Sequence, residues 1–220
     1  KDIDALVKSI SEFKPTVIID FLGQGMVEPS WNSPDIWIQT NVASKAKLIR
    51  NLINADWLEK YIRISTPEVY GSSTSVLKTS SGLNPSTPYA VSHASIDMLL
   101  QAYVKHFEFP ALIPRYSNFY GAGQQLYRII PKAIIHTKMN RPFFLHGNGE
   151  SFRSFIHSFD INSSIDRLIT NGKIGEVYHF AGSDLVKIRE LVHRIVDLVG
   201  GDFDRSEEHT SELQSRQYLV

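Results

Sequence analysis

Tyr61-Ile62-Arg63-Ile64-Ser65-Thr66-Pro67-Glu68-Val69-Tyr70-Gly71 decides the fold. Its first five residues are a short apolar run of strand length, and a polar Thr-Pro-Glu loop leaves the carboxyl end. Further on, Pro88-Tyr89-Ala90-Val91-Ser92-His93 opens a helix whose first two turns carry a phenol and an imidazole. Open α/β sheets bind ligands outside the carboxyl ends of their strands. A hydroxyl, a carboxylate, a phenol and an imidazole from one such end therefore form a candidate site.

Working outward from this stretch, strands and helices alternate. Ile3, Leu6, Val7, Ile10 and Phe13 recur at helical spacing, so residues 2–14 are predicted as an amphipathic helix stopped by Pro15. Thr16–Leu22 is a β-branched apolar run suited to a parallel strand covered on both faces. Gly23-Gln24-Gly25 leaves its end, where small residues admit a ligand close to the backbone or simply turn the chain. Ser33-Pro34-Asp35 combines a hydroxyl N-cap, a proline and an acid at the positive helix end, predicting a helix to about Asn54. Thr87-Pro88 starts a second helix in the same way, running to Phe107, and Ala111–Tyr116 reads as a third strand. Full helices between successive strands argue βαβ units and a parallel sheet.

The pattern changes after Gly121-Ala122-Gly123. A helix around Arg128–Lys138, the run Phe143-Phe144-Leu145, a Gly147-Asn148-Gly149 turn and an extended Phe152–His157 come first. A helix near Asp160–Thr170, a strand at Glu176–Phe180 and a helix from Ile188 to Val199 follow. The fold class is accordingly α/β, with a parallel sheet, helices on both its faces, and a small mixed α/β lobe after residue 120.

Composition narrows the classes of function. Lysine plus arginine number 23 and aspartate plus glutamate 23, so the formal net charge is zero and no basic footprint points to nucleic acid. Apolar runs such as Val17-Ile18-Ile19 are too short to cross a bilayer. The chain has no cysteine, which excludes disulfides and thiolate metal sites and fits a reducing, cytoplasmic location. The histidines form no His-x-x-x-His pattern, so no metal site is expected. Residues 205–215, Arg-Ser-Glu-Glu-His-Thr-Ser-Glu-Leu-Gln-Ser, resemble the in-frame translation of a sequencing adapter; 205–220 are read as a non-native tail outside the fold.

The segments Ser65–Gly71 and Tyr89-Ala90-Val91-Ser92-His93 resemble the extended short-chain dehydrogenase/reductases, in the branch of NAD-dependent sugar-nucleotide epimerases and dehydratases. Val17–Gln24, Thr40-Asn41-Val42, Arg115-Tyr116-Ser117-Asn118-Phe119-Tyr120-Gly121, Ile130-Pro131, Arg153-Ser154-Phe155-Ile156-His157 and Gly175-Glu176-Val177-Tyr178-His179 continue the resemblance in order. It implies a partial Rossmann-like NAD-binding domain over 1–120 and a substrate-binding lobe over 121–204. No Gly-x-Gly-x-x-Gly occurs between a strand and a helix, and the family carries that turn upstream, so the chain is read as a fragment lacking it.

The same resemblance implies a reaction. A sugar hydroxyl is transiently oxidised, with NAD taking the hydride and returning it, and a tyrosine acting as base. A free phenol has a pKa near ~10 and needs a neighbouring cation to ionise. Tyr89 matches the base. His93 stands where the family places a lysine four residues on, a spacing that shares one helix face; imidazole, with a reference pKa of ~6.5, is a weaker support. Thr66 matches a hydroxyl that bonds the reacting oxygen, or is an ordinary loop hydroxyl. Glu68 matches the glutamate that takes a proton in the dehydratases, but Pro67 replaces the acid before it and cannot transfer a proton. Leu22, Gly23, Gln24, Asn41, Tyr89, His93 and Tyr116 are the residues implied toward NAD. Asn118, Arg128 and Arg153 are those implied toward the diphosphate of a nucleotide sugar, which guanidinium forks and amides suit. The resemblance implies a homodimer through helices near 35–54 and 88–108. A non-catalytic descendant that binds a nucleotide sugar or a protein partner is the competing reading, favoured by Pro67 and His93.

Overall fold

The structure, a computed structural model, describes residues 2–73, 76–142 and 144–201. Phe143 and the tail from 205 onward lie outside the described residues.

The chain divides into two compact units. The first comprises residues 2–116 and 162–180. Helix α1 (Ile3–Phe13) starts on Asp2, whose carboxylate accepts from the amides of Asp4 and Ala5, and ends where Lys14 turns left-handed before Pro15. Strand β1 (Val17–Asp20) stops two residues before the predicted end, because the Asp20 carboxylate accepts from the Leu22 amide at 2.9 Å and turns the chain. A short helix α2 (Glu28–Asn32), not anticipated from the sequence, precedes α3 (Pro34–Trp37). The predicted long helix is present over 34–52 but in three parts: α3, a π-helical stretch Ile38–Ala43, and α4 (Ser44–Leu52). Ser33 makes no side-chain cap to it, unlike Thr87, which caps α5 (Pro88–Phe107) through the Ala90 amide.

Strands β2 (Lys60–Arg63), β3 (Ala111–Tyr116) and β6 (Val177–Phe180) complete a parallel sheet ordered β1-β2-β3-β6. Ser65 continues β2 only as an isolated bridge to Arg115. Alternation along β3 sends Ala111 and Ile113 into a core with α4 and α5, where Leu48, Ile49, Ile96, Leu100 and Phe109 are buried and α1 covers the edge through Leu6 and Ile10. Leu112 points the other way, against the end of α7 (Ser158–Asn171), where a Cβ on Gly172 would crowd it. Helices therefore lie on both faces of the sheet, as expected for parallel strands. Lys60 donates to the Leu168 and Ile169 carbonyls at 3.2 and 2.6 Å, closing the end of α7.

The second unit comprises 117–161 and 181–201 among the described residues. A three-stranded sheet joins β4 (Asn118–Tyr120), β5 (Phe152–His157) and β7 (Leu185–Lys187) in that order. Helices α6 (Ile129–Lys138) and α8 (Ile188–Val199) bury Ala133, Val192, Ile195 and Val196 between them. Strands β4 and β7 are three residues each and carry no length signal of their own. This division differs from a cut at residue 120. Residues 162–180 return to the first unit because β6 pairs with β3 over Ile113–Tyr116.

Candidate active site

The loop leaving β2 is built as one tight turn. Thr66 is buried and extended, and its hydroxyl accepts from the Glu68 amide at 3.2 Å, capping a single 3-10 turn over Pro67–Tyr70. Pro67 takes the first position, where its missing N–H is not needed. Gly71 ends the turn at φ +68°, ψ −161°, a region open essentially to glycine alone, and a Cβ there would collide with the Asn84 carbonyl. Val69 and Tyr70 pack on Ala94 of α5, so the turn is held against the helix that carries Tyr89 and His93. Glu68 is half-buried on this turn.

Tyr89 and His93 lie four residues apart on the first turns of α5, with ring centroids 4.5 Å apart and planes tilted by 50°. The Tyr89 amide donates to Ser30 Oγ at 3.2 Å, which ties the start of α5 to α2. Tyr89 is half-buried, whereas His93 is 8% exposed. Burial and then the charges of Arg63 and Lys45 hold the His93 imidazole well below its ordinary pKa, so it is neutral at pH 7.

Behind the two rings lies a buried polar layer that the sequence reading did not single out. Arg63 Nη2 donates to His93 Nδ1 at 3.0 Å. Asp20 at the end of β1 pairs closely with Lys45 and accepts from the Tyr61 hydroxyl at 2.7 Å. Burial pushes the Asp20 carboxyl up, but Lys45 and Arg63 outweigh it and hold it below the usual carboxylate range. Burial and the Arg63 charge lower the Lys45 ammonium to about 8. One turn along α5 from His93, Asp97 Oδ2 accepts from Ser65 at 2.7 Å and from Arg115 at 3.0 and 3.2 Å. Arg115 also donates to the Tyr70 hydroxyl, which lies 2.7 Å from His179 Nε2. The signal for this layer is a charge placed within an apolar period: Arg63 inside a buried strand and Lys45 on the inner face of a helix.

Apart from Tyr89 and His93 on α5, the residues implied toward a cofactor fall into two groups. Leu22, Gly23 and Gln24 are exposed at the carboxyl end of β1. Asn41, fully buried in the π-helical stretch, accepts from the Gln24 amide at 2.6 Å and donates to the Gln24 carbonyl and to Ser92 Oγ, each at 3.0 Å. It thus clamps the loop after β1 to α5; π-helical turns recur at functional sites. A Cβ on Gly23 would press on Asn41 Oδ1 at 3.2 Å, so that loop runs unusually close to the helix. Tyr116 sits instead in the core, its hydroxyl 2.7 Å from Ser164 Oγ and its ring stacked on Phe180.

The residues implied toward a diphosphate all lie in the second unit and are exposed. Asn118 pairs in register with Phe155, two residues from Arg153, so Asn118 and Arg153 share one face of the small sheet. Arg153 donates to the Phe152 carbonyl at 2.8 Å, and Arg128 stands at the start of α6 over the Tyr127 ring. None of the three lines the unit's cleft of about 550 Å³, whose walls include Tyr120, Phe155, His157, Asp160 and Asp184.

Comparison with known proteins places the chain. The model of the NAD dependent epimerase/dehydratase family matches residues 1–181. The chain belongs to that family. It is 30% identical over 187 residues to mouse dTDP-D-glucose 4,6-dehydratase, covering 84% of this chain and 52% of that protein. It is also 30% identical over 192 residues to the low-salt glycan biosynthesis protein Agl12 of Haloferax volcanii, covering 87% and 62%. Among solved structures, the dTDP-glucose 4,6-dehydratase DesIV of Streptomyces venezuelae, with NAD and TYD bound, superposes with a TM-score of 0.86 at 28% identity, covering 94% of this chain and 63% of that one. UDP-glucuronic acid 4-epimerase from Bacillus cereus, in complex with UDP-glucuronic acid and NAD, gives 0.84 at 25% identity, covering 92% and 65%. The chain thus spans about half to two-thirds of the length of these family members.

Proposed function

We propose that this chain is part of an NAD-dependent enzyme that modifies a nucleotide sugar, by epimerisation or dehydration, through transient oxidation of a sugar hydroxyl. The observation that carries the reading is the Tyr89–His93 pair on the first turns of α5, beside the capped Thr66–Glu68 turn at the end of β2, in a chain of this family. Tyr89 Oη takes the proton of the sugar hydroxyl, and the Thr66 hydroxyl, whose oxygen already accepts from Glu68, retains its own proton to donate to the reacting oxygen. The chemistry NAD supplies when bound is reversible acceptance of a hydride. Leu22–Gln24, held by Asn41 at a strand end, fit the lip of such a cofactor site, and in this reading His93 and Tyr89 of α5 and the buried Tyr116 contribute to it.

Asn118, Arg128 and Arg153 bind the sugar-nucleotide diphosphate in this reading, and the second unit is the substrate lobe. Pro67, at the position of a proton-donating acid, disfavours elimination of water and favours an oxidation that is simply reversed. A homodimer through α5 and the 34–52 helices is supported by exposed Val91 and Met98, seven residues apart on one face of α5. A cytoplasmic location fits the cysteine-free sequence, and no described helix is long and apolar enough to cross a membrane.

The neutral, buried His93 favours a second reading, a descendant that binds nucleotide sugars without turning them over. Incubating the full-length protein with NAD and a panel of dTDP- and UDP-sugars separates the two. The enzyme reading expects NADH absorbance or a new sugar, lost by at least about a hundredfold in Tyr89→Phe, in line with general-base contributions. Saturable sugar-nucleotide binding with neither product nor NADH would leave only the binding reading.

A further inference from the structure

Three cations and two carboxylates are buried together in the first unit: Lys45, Arg63 and Arg115 against Asp20 and Asp97. Lys45 is paired with Asp20 and Arg115 with Asp97. Arg63 is 1% exposed and makes no ion pair among the described residues. Its Nη1 donates to the Ile64 carbonyl, its Nη2 to His93 Nδ1, and its Nε has no hydrogen-bond partner among the described residues. A buried guanidinium outside any direct ion pair is expensive, because only the longer-range attraction of Asp20 and Asp97 offsets its lost hydration. The layer therefore carries one positive charge in excess, and that charge is aimed at the imidazole beside Tyr89.

Donor arithmetic fixes what the imidazole does with it. Arginine can only donate, so His93 Nδ1 must accept, and the ring proton resides on Nε2. An uncharged histidine in contact with the tyrosine ring thus leaves its donor nitrogen free to face away from the arginine. A tyrosine base requires a nearby positive charge to ionise near neutral pH. His93 does not carry one; Arg63 does.

We propose that Arg63, acting through His93, is the cationic support of the Tyr89 base: a positioning residue that lends its charge while His93 presents the hydrogen-bond donor. This rests on Tyr89 being the base, the reading given above. The charges that act on His93 are Arg63 on β2 and Lys45 on α4; Lys45 is paired with Asp20 on β1, and Asp97, further along α5, is paired with Arg115.

The relay is read first without cofactor or substrate. Nitrogen NMR of histidine-labelled protein is expected to show His93 with a bare Nδ1 and a protonated Nε2 throughout the neutral range. Carbon NMR of labelled tyrosine is expected to place the Tyr89 phenol below its ordinary pKa of ~10, and Arg63→Met is expected to leave at least about tenfold less phenolate at a fixed pH. A proton on Nδ1, or a Tyr89 titration unmoved by Arg63→Met, overturns the proposal. If Arg63→Met does not fold, His93→Lys supplies the reading. Two adjacent buried cations repel, so His93→Lys alone is expected to lose turnover and stability, and Arg63→Met combined with His93→Lys to regain both. A single His93→Lys that performs as well as the double variant also overturns the proposal. An absence of turnover with the tautomer and phenol titration as expected rejects only the enzyme reading. Turnover with an unshifted phenol rejects only the relay.

Discussion

Asp97 shows how closely the site depends on single buried groups. Its Oδ2 collects Ser65 and two nitrogens of Arg115, and none of the three residues is more than 6% exposed. Burial pushes the Asp97 carboxyl above its usual range against the pull of Arg63 and Arg115, so the ion is held at a cost. Removing one partner of such a pair leaves the other charged and unsatisfied. Asp97→Ala is therefore expected to lower unfolding free energy by about 3–5 kcal/mol, read as a shift of the urea midpoint. Replacing Asp4, an exposed partner of Lys47, is expected to change stability by at most about 1 kcal/mol. Asp97 and Arg115 were not legible as a pair. They are 18 residues apart on a helix and a strand, and only the packing of α5 on β3 brings them together.

At the scale of elements, the turn after β2 is the part most sharply specified by its residues. Thr66 caps it, Pro67 starts it, and Gly71 ends it in a backbone region that other residues avoid. Gly71→Ala adds a Cβ against the Asn84 carbonyl as well as the backbone strain, so a loss above about 3 kcal/mol is expected, the strain alone accounting for 1–3. Gly123 also has positive φ but open space around its Cβ, and Gly123→Ala is expected to cost only about 1–2 kcal/mol. Equal losses in chemical denaturation would show that the Asn84 contact contributes nothing. The helix over 34–52 was legible in extent but not in its π-helical middle. That stretch holds Asn41 where it clamps Gln24, a contact across 17 residues that no local propensity records.

For the whole molecule, the buried histidine makes stability depend on pH. In the unfolded chain His93 binds a proton below about pH 6.5, while in the fold burial and Arg63 keep it neutral to far lower pH. The unfolded state then holds more protons, so stability falls as pH drops below about 6.5, by up to about 1.4 kcal/mol per pH unit for this one group. His179 acts in the same direction but is largely exposed and adds less, and Asp97, shifted upward, opposes the slope at lower pH. The difference between the wild-type protein and His93→Gln isolates the His93 share. Urea midpoints measured from about pH 7 to 5 are expected to fall more steeply in the wild-type protein; parallel curves would mean that His93 is not neutral in the fold.

The sequence by itself determined most of the strands and helices, though not α2, β4 or β7, and the turn and helix that carry the candidate residues. Apolar periodicity, Thr87-Pro88 at a helix start and Thr66–Gly71 after a strand are local signals, set by backbone sterics and capping over a few residues. It also placed Tyr89 and His93 on one face of α5, because four residues return a helix nearly to the same azimuth. Tertiary structure alone decided that β6 returns to the first sheet, that Tyr116 belongs to the core, and that Arg63 stands behind His93. Each of these depends on which groups share a buried, low-dielectric space. That is settled when strands and helices pack, and no window of neighbouring residues contains it.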